Sequence, residues 1–399
     1  MREVVIVDAV RTPIGRYNGA LKDVRPDDLG AIVIKALVER NPSLSTEEIE
    51  EVVFGNANQT GEDNRNVARM SGLLAGLPVE VAGTTINRLC GSGLDAIMYA
   101  ARAISVGDGD IYIAGGTESM TRAPFVMAKP DKEFPRGNME LHDTTIGWRF
   151  TNKKLKEMYG TDTMPQTAEN IAQRYHITRE EQDLFAFESQ QRAKKAMEEN
   201  RFAEEIVPVV YMDQKGNKII VNIDEHPRPD TSFEKLGQLK PLFEGGTVTA
   251  GNASGVNDGA SALLLMSTEK AKELKIKPLA QYITGATAGL EPAVMGLGPV
   301  FASTKALKRA GLMTSDIGLI ELNEAFASQS LECIRQLELD IEKVNVNGGS
   351  IAFGHPLGAS GARIATTLIY EMKKKNVEFG LATMCIGVGQ GIAIVFKKL

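Results

Sequence analysis

Short segments of this chain recur at a nearly constant spacing of about 270 residues. The sequence K-A-L at 35–37 returns at 305–307, and S-T-E-E-I at 45–49 is echoed by M-T-S-D-I at 313–317. A repeat of this length is typical of a duplicated domain, since the repeats of solenoid proteins are much shorter. The sequence therefore predicts two similar halves related by a pseudo-twofold axis.

Each half alternates short apolar runs with segments of helical periodicity. Residues 4–7 and 111–114 have the length and composition of buried strands, and apolar residues over 91–105 recur at helical spacing up to Gly107. This alternation predicts an α/β fold built on a mostly parallel, buried sheet.

The middle of the chain has no counterpart in the second half. It contains a capping box at Thr178 that opens a long helix through Glu199, and a hairpin pattern over 207–223. We therefore expect an N-terminal half formed by 1–120 and 250–270, an inserted domain at 121–249, and a C-terminal half at 271–399.

Composition and charge exclude several classes of protein. The chain has 45 basic and 51 acidic residues and a net charge of −6, whereas nucleic-acid binders usually carry a basic stripe. Its three cysteines are too widely spaced for a disulfide framework, which favours a reducing cytoplasm. Four scattered histidines and no metal-ligating motif argue against a metal site.

No membrane segment is expected. The uncharged stretch 379–396 is long enough to span a bilayer, but four glycines divide it into two short apolar runs. Two buried strands joined by a glycine turn fit it better. The N-terminus also lacks the basic region and long apolar run of a signal peptide.

Cys90 is the first candidate for chemistry. It lies in N-R-L-C-G-S-G at 87–93, just before the predicted helix, where the helix dipole and free N–H groups would stabilise a thiolate. The flanking glycines would allow a tight turn and the close approach of a substrate. The alternative is a buried structural cysteine.

His355 strengthens the case for a nucleophile. It lies in G-H-P-L-G-A-S-G at 354–361, again before an apolar helix, and 265 residues after Cys90. Two halves related by a pseudo-twofold axis would bring Cys90 and His355 together at the carboxyl ends of their strands, where α/β folds place ligands. A Cys–His pair in that position is an activated nucleophile, although a core histidine is the alternative.

Three further segments carry polar or reactive groups among glycines and small residues. Cys385 opens C-I-G-V-G-Q-G, which lacks the spacing of a dinucleotide-binding loop and precedes a strand, so NAD is not expected. Asn323 follows a strand and can hold a water or an oxyanion, or cap a helix. The small residues of 247–259, including Ser254, are typical of a ligand-binding wall or of an ordinary glycine-rich loop. Cys333 has no such context and is expected to be structural.

Taken in order along the chain, N-R-L-C-G-S-G, N-E-A-F-A at 323–327, G-H-P-L-G-A-S-G and C-I-G-V-G-Q-G resemble the thiolase family over essentially the whole sequence. The resemblance implies a duplicated, five-layered α/β/α/β/α fold with an inserted loop domain that binds coenzyme A. It also implies a homodimer or homotetramer that uses coenzyme A and acyl-CoA as substrates and needs no other cofactor.

The same resemblance implies roles for individual residues. Cys90 would be the acylated nucleophile, His355 its base, and Cys385 the acid/base at the substrate α-carbon. Asn323 would hold a water that forms one oxyanion hole with His355, and the N–H groups of Cys90 and Gly387 would form the other. The residues that match positions lining the coenzyme A tunnel are Arg228, Ser254, Phe243 and Met164.

The segment next to these residues departs from part of the family. Biosynthetic acetoacetyl-CoA thiolases carry His-Met where this chain has Thr163-Met164, and D-T-T-I-G-W-R-F at 143–150 is closer to 3-oxoadipyl-CoA thiolases. The expected activity is that of an acetyl-CoA C-acyltransferase that cleaves 3-oxoacyl-CoA, including acetoacetyl-CoA, through an acyl-Cys90 intermediate. The alternatives are a biosynthetic acetyl-CoA C-acetyltransferase, a 3-oxoadipyl-CoA thiolase, a related condensing synthase, a hydrolase, and a non-catalytic lipid carrier or scaffold.

Overall fold

The first part of the chain builds most of one half of the molecule. The computed structural model describes residues 1–213 and 215–399. Up to residue 119 the strands are β1 (Val4–Arg11), β2 (Gly15–Arg16), β3 (Ile49–Gly55), β4 (Ala82–Ile86) and β5 (Ile111–Ser119). The helices of this part are α1 (Pro26–Arg40), α2 (Val67–Leu74) and α3 (Ser92–Val106), which ends at a left-handed Gly107 as predicted.

A long segment then interrupts the alternation before the chain returns to the same sheet. Its strands are β6 (Phe125–Val126), β7 (His142–Asp143), β8 (Val209–Met212) and β9 (Lys218–Val221). Its helices are α4 (Lys153–Tyr159), α5 (Met164–Arg174), α6 (Arg179–Glu198) and α7 (Phe233–Gly237). The capping box at Thr178 and the hairpin pattern are both confirmed. The chain re-enters the sheet with β10 (Asn257–Ser267), which α8 (Thr268–Glu273) follows.

The last part of the chain repeats the first. Its strands are β11 (Ala280–Gly289), β12 (Leu319–Leu322), β13 (Phe379–Ile386) and β14 (Gln390–Lys398). Its helices are α9 (Gly298–Ala310), α10 (Ala327–Gln336), α11 (Ser350–Phe353) and α12 (Leu357–Lys375). Short 3-10 helices lie at Thr46–Glu48, Pro292–Leu297, Thr314–Asp316 and Ile341–Lys343.

Strand pairing confirms the duplication. The first half has the order β4-β3-β5-β10-β1, and the second has β12-β13-β14-β11, extended by a parallel bridge from Ile320 to Val344 in the place of β4. Antiparallel pairing of β1 with β11, such as Val5 with Gln281, joins the two halves into one sheet. The pseudo-twofold axis therefore passes between these two strands.

The expectation of a mostly parallel sheet is wrong. Within the first half, β3 pairs in parallel with β4 and β5, whereas β10 pairs antiparallel with β5 and β1. The second half shows why, because β13 and β14 are joined by a turn of three residues and must run in opposite directions. The uncharged stretch 379–396 forms two buried strands, β13 and β14, as predicted. Among the described residues, no helix is long and apolar enough to cross a membrane.

Five layers result from the way helices cover the two halves of the sheet. Helices α1 and α2 pack on the outer face of the first half, and α9 packs on the outer face of the second. Helices α3 and α12 lie between the halves and contact each other as well as the strands on both sides. Their apolar residues form a continuous buried cluster with the sheet, including Ile97, Leu368 and Phe396.

Glycines bring α3 and α12 into close contact. A Cβ atom on Gly93 would lie 2.7 Å from the backbone nitrogen of Ala362 and 2.8 Å from the carbonyl oxygen of Gly358. A Cβ atom on Gly361 would likewise collide with the backbone nitrogen of Leu94. The glycines after Cys90 and His355 therefore let two helices cross, and the expectation that they make room for a substrate does not describe Gly93. This crossing places the two helix N-termini side by side.

Candidate active site

One cavity gathers most of the candidate residues. It has a volume of about 530 Å³, and its lining includes Cys90, His355 and Cys385. Arg228, Ser254 and Met164 line the same space, which we call the main cavity. As predicted, Cys90 from the first half and His355 from the second half line the same cavity.

The turn before α3 presents the Cys90 side chain. Leu89 adopts a left-handed conformation with φ of 47°, and the Ser92 hydroxyl lies 2.6 Å from the Leu89 carbonyl oxygen and 2.9 Å from the Arg88 nitrogen. A leucine in that conformation is strained, so the hydrogen bonds of Ser92 hold the turn in place.

The Cys90 thiol is protonated at neutral pH, contrary to the expectation of a thiolate. Burial raises the pKa of Cys90 to about 11, although the backbone N–H groups of Gly387 and of Cys90 itself oppose the shift. Cys90 precedes the first residue of α3 by two positions, and the helix N-terminus does not offset the desolvation. A nearby base must therefore activate the sulfur.

His355 is oriented as such a base. Its backbone N–H donates to Asn257 Oδ1 at 2.9 Å, and its ring Nδ1 lies 2.6 Å from Ser360 Oγ. The ring Nε2 is buried and has no hydrogen-bond partner among the described residues. Burial and the nearby Arg363 lower the pKa of His355 to about 3, so the ring is neutral and Nε2 can accept a proton.

Cys385 lies on β13 in an apolar environment. It is buried beside Val248, Met295 and Phe326. Burial raises the pKa of the Cys385 thiol well above its usual value, and a negative charge on Cys90 would raise it further. Cys385 therefore also rests as a thiol, which suits a proton donor.

Asn323 is held by a chain of hydrogen bonds. Its Oδ1 accepts from Ser350 Oγ at 2.6 Å, and Ser350 accepts from Arg363 Nη2 at 2.8 Å. Its buried Nδ2 has no partner in the described part of the chain and is available as a donor. Asn323 does not cap α10, because that helix begins at Ala327.

The turn between β13 and β14 supplies a backbone donor. Gly387 starts this turn, and Val388 and Gly389 have φ of 64° and 82°. The Gly387 N–H acts to lower the pKa of Cys90 and so favours a negative charge on the sulfur, although burial outweighs it. A donor in this position can stabilise an oxyanion formed on a substrate bound at Cys90.

The four residues expected along the tunnel do not all line the main cavity. Arg228 is exposed, and Met164 is half-buried at the start of α5. The Ser254 N–H donates to the Ala325 carbonyl at 2.9 Å, which fixes this wall beside Asn323. Of the described residues in the 241–246 turn, Leu242 rather than Phe243 lines the main cavity.

A second cavity adjoins the main one at Cys90. It has a volume of about 240 Å³ and shares with the main cavity the residues Cys90, Met120, Ile146, Met164 and Leu357. Its remaining lining comes from residues around the ends of β3, β5 and β13, from Leu89, and from 144–149 and 162–163 of the inserted domain. We call it the side cavity, and Cys90 is the one candidate nucleophile that lines both cavities.

Glu118 is a buried acid that the sequence patterns did not single out. It is the second-last residue of β5 and lines the side cavity. Its carboxylate accepts hydrogen bonds from the backbone N–H groups of Ala57 and Gly358, both at 2.8 Å. Burial raises the pKa of Glu118 to about 7. The only sequence signal for it is a carboxylate in an otherwise uncharged strand.

The chain matches family models over nearly its whole length. Residues 4–269 match the model described as "Thiolase, N-terminal domain", and residues 276–398 match "Thiolase, C-terminal domain". The chain is 56% identical to the 3-oxoadipyl-CoA/3-oxo-5,6-dehydrosuberyl-CoA thiolase of Escherichia coli and to the beta-ketoadipyl-CoA thiolase of Pseudomonas aeruginosa. Both alignments cover the whole of both proteins.

Solved structures show the same fold. The acetyl-CoA acetyltransferase of Bacillus anthracis superposes with a TM-score of 0.93 at 41% identity, covering 100% of this chain and 99% of that one. Human mitochondrial 3-ketoacyl-CoA thiolase gives the same values. By sequence, strand order and layering, the chain is therefore an acyltransferase that belongs to the thiolase family.

Proposed function

We propose that the chain cleaves 3-oxoadipyl-CoA with coenzyme A, giving acetyl-CoA and succinyl-CoA. The observation that carries this proposal is the pair of adjoining cavities that both include Cys90 in their lining. The main cavity would hold the coenzyme A arm, and the side cavity would hold a short acyl chain with polar groups around its end. The beta-ketoadipyl-CoA thiolases, at 54–56% identity, support the choice of substrate.

Cleavage begins with a proton transfer from Cys90 to Nε2 of His355. The thiolate attacks the 3-oxo carbon of the substrate, and the bond between C2 and C3 breaks. The electron pair stays on C2, which takes the proton of Cys385, and acetyl-CoA leaves. His355 can take the proton of Cys90 because its ring is neutral and its Nε2 has no hydrogen-bond partner among the described residues.

The second half of the reaction restores both groups. The thiol of a free coenzyme A gives its proton to the Cys385 thiolate and attacks the succinyl group on Cys90. The tetrahedral intermediate expels the Cys90 sulfur, which recovers its proton from His355. All protons are thereby returned, and no oxidant or reductant is needed.

Two oxyanion sites serve the two negative charges. We assign one to a water held by Asn323 Nδ2 together with Nε2 of His355, since both are buried and have no partner in the described chain. The other is formed by the N–H groups of Cys90 and Gly387, which already stabilise charge on the Cys90 sulfur.

Coenzyme A would bind through the inserted domain at 121–249, which packs on the half formed by 1–120 and 250–270 and on the half at 271–399. Arg228 and Ser254 would contact its nucleotide and pantetheine, and Met164 would lie near the thioester. The guanidinium of Arg228 suits a phosphate. Burial and the positive charge of Arg228 lower the pKa of His226, which lines the same cavity. Phe243 would act only indirectly, since its carbonyl accepts from the Gly246 N–H at 3.0 Å within the turn that carries Leu242.

We also propose a cytoplasmic homodimer or homotetramer without a prosthetic group. The three cysteines are unpaired, which suits a reducing compartment. Large apolar side chains are exposed along the inserted segment, among them Phe134 and Leu141, and such a surface favours association with further copies.

Initial rates of thiolysis test the substrate. We expect a higher kcat/KM for 3-oxoadipyl-CoA than for acetoacetyl-CoA or a long-chain 3-oxoacyl-CoA. The runner-up, a biosynthetic enzyme, predicts the best rates with acetoacetyl-CoA and easy condensation of acetyl-CoA. Preference for a long-chain substrate would contradict both.

A further inference from the structure

The side cavity carries an arginine that the thiolase reaction itself does not use. Arg149 lies in the inserted segment and is the one cation among the described residues of that lining. Its neighbour Trp148 donates from its indole nitrogen to the Asp162 carbonyl at 3.3 Å, which ties this segment to the start of α5. Arg149 is therefore held over the same space that reaches Cys90.

Arg149 has no carboxylate partner in the described part of the chain. Its one hydrogen bond is a long contact of 3.5 Å from Nη2 to Thr60 Oγ1. Other arginines of the described chain are paired with carboxylates, for example Arg122 with Glu62 and Arg174 with Glu291. A half-buried guanidinium without a counter-ion keeps N–H donors free, so an anion placed beside it gains charge-assisted hydrogen bonds.

The acids that share the lining are already occupied. Glu118 accepts from backbone N–H groups, and its pKa of about 7 leaves it only partly charged. The Asp162 carboxylate accepts from Asn170 Nδ2 at 2.9 Å. Neither acid forms an ion pair with Arg149, and the guanidinium remains the group suited to a ligand's charge.

We infer that Arg149 binds the terminal carboxylate of the acyl chain and sets the preference for dicarboxylic 3-oxoacyl-CoA. This inference rests on the proposed function. An acyl group on Cys90 extends into the side cavity, because that cavity is the space adjoining Cys90 which the coenzyme A arm does not need. A guanidinium donates paired hydrogen bonds to a carboxylate, whereas an uncharged methyl end of the chain gains no such bonds.

The test compares substrates that differ only at the chain end. Arg149→Gln should lower kcat/KM for 3-oxoadipyl-CoA by ~10- to 100-fold, the usual worth of a hydrogen-bonded charge. The same variant should leave 3-oxohexanoyl-CoA, which ends in a methyl group, within about twofold of the wild type. Arg149→Lys should retain part of the preference. Arg136→Gln is the matched control, since Arg136 lies on the same inserted segment and lines a separate cavity.

A binding measurement separates the two proposals. Adipyl-CoA and hexanoyl-CoA lack the 3-oxo group, so their competitive inhibition reports recognition of the chain end without turnover. If adipyl-CoA binds more tightly than hexanoyl-CoA and Arg149→Gln removes the difference, the assignment of Arg149 stands even where 3-oxoadipyl-CoA is not the preferred thiolysis substrate. If the wild type prefers the dicarboxylic compounds and Arg149→Gln keeps that preference, the assignment is wrong while the proposed substrate stands. Equal losses for charged and uncharged substrates would also overturn it.

Discussion

The ring Nδ1 of His355 lies 2.6 Å from the hydroxyl oxygen of Ser360, within the first turns of α12. When Nδ1 carries the proton and donates it to Ser360, the lone pair of the imidazole is on Nε2, which is the nitrogen without a partner. The G-H-P-L-G-A-S-G segment therefore supplies both the base and the group that orients it.

Cys90 is expected to be the residue that becomes acylated. Incubation with acetyl-CoA should add one acetyl group per chain, on the Cys90 peptide, because Cys90 is the thiol that lines both cavities. Peptide mass spectrometry measures this directly. Cys333→Ala is the control and should be acetylated normally, since Cys333 is buried on α10 and donates to the Gly296 carbonyl. Label on Cys333 or Cys385 alone would reject the assignment.

Replacing Cys385 should separate the two half-reactions. Cys385→Ala is expected to lose roughly 100-fold or more in condensation and in thiolysis, the usual contribution of a general acid–base group. It should still form acetyl-Cys90 and exchange labelled coenzyme A with acetyl-CoA, because those steps involve no proton at carbon. Condensation near the wild-type rate would show that Cys385 is structural.

Arg228 should contribute to binding rather than to chemistry. Arg228→Ala is expected to raise KM for acyl-CoA by roughly tenfold with little change in kcat, since it would remove a charged contact made equally in the ground and transition states. Steady-state rates measure both constants. Lys240→Ala, an exposed change in the same inserted segment, serves as the control. A collapsed kcat at constant KM is the result that would count against this role.

The neutral His355 should make the protein less stable in acid. Its pKa is about 3 in the folded chain and about 6.5 when unfolded, so the unfolded chain binds the proton first as the pH falls. This contribution to stability is complete above pH ~6.5 and is lost as the pH falls towards ~3, by about 5 kcal/mol in full. The free energy of unfolding should fall less steeply with acidification in His355→Asn than in the wild type. Parallel pH curves for the two proteins would contradict it.

A methyl group at the helix crossing should be costly. Gly93→Ala would place a Cβ atom 2.7 Å from the Ala362 nitrogen, so α3 and α12 must move apart. We expect a loss of about 1–3 kcal/mol or more in unfolding free energy, together with reduced activity because both helix N-termini shift. Gly237→Ala is the matched control, since a Cβ there meets no atom within 4 Å. Equal unfolding midpoints for the two variants would be inconsistent with a tight crossing.

Much of the fold could be predicted because the repeat leaves local signals. The helix at 92–106 is marked by apolar spacing and a terminal glycine, and the strand pair at the C-terminus by two apolar runs around a glycine turn. Strand direction was mispredicted, because direction depends on the length and path of connections and not on the composition of a strand. The pairing of β1 with β11, which joins the two halves, likewise has no signal in the sequence of either strand.

The site was predictable where reactive residues stand next to glycines and helix starts. The spacing of Cys90 and His355 followed from the repeat, and both line the main cavity. The ionisation of Cys90 was not predictable, because desolvation depends on what the whole fold packs around the sulfur. The roles of Glu118 and Arg149 could not be predicted for a similar reason. Both residues line a cavity that forms only when segments distant in sequence come together.

The turn Gly387-Val388-Gly389 has a counterpart in the first half, since β5 and β10 correspond to β13 and β14. One copy of this connection is three residues long, and the other spans residues 120–256. Duplication thus freed one loop to grow while its twin stayed fixed beside the reacting atoms. Substrate range can diverge in such an architecture through the long connection alone, and exchanging that connection between relatives offers a route to new acyl specificities with the reaction left intact.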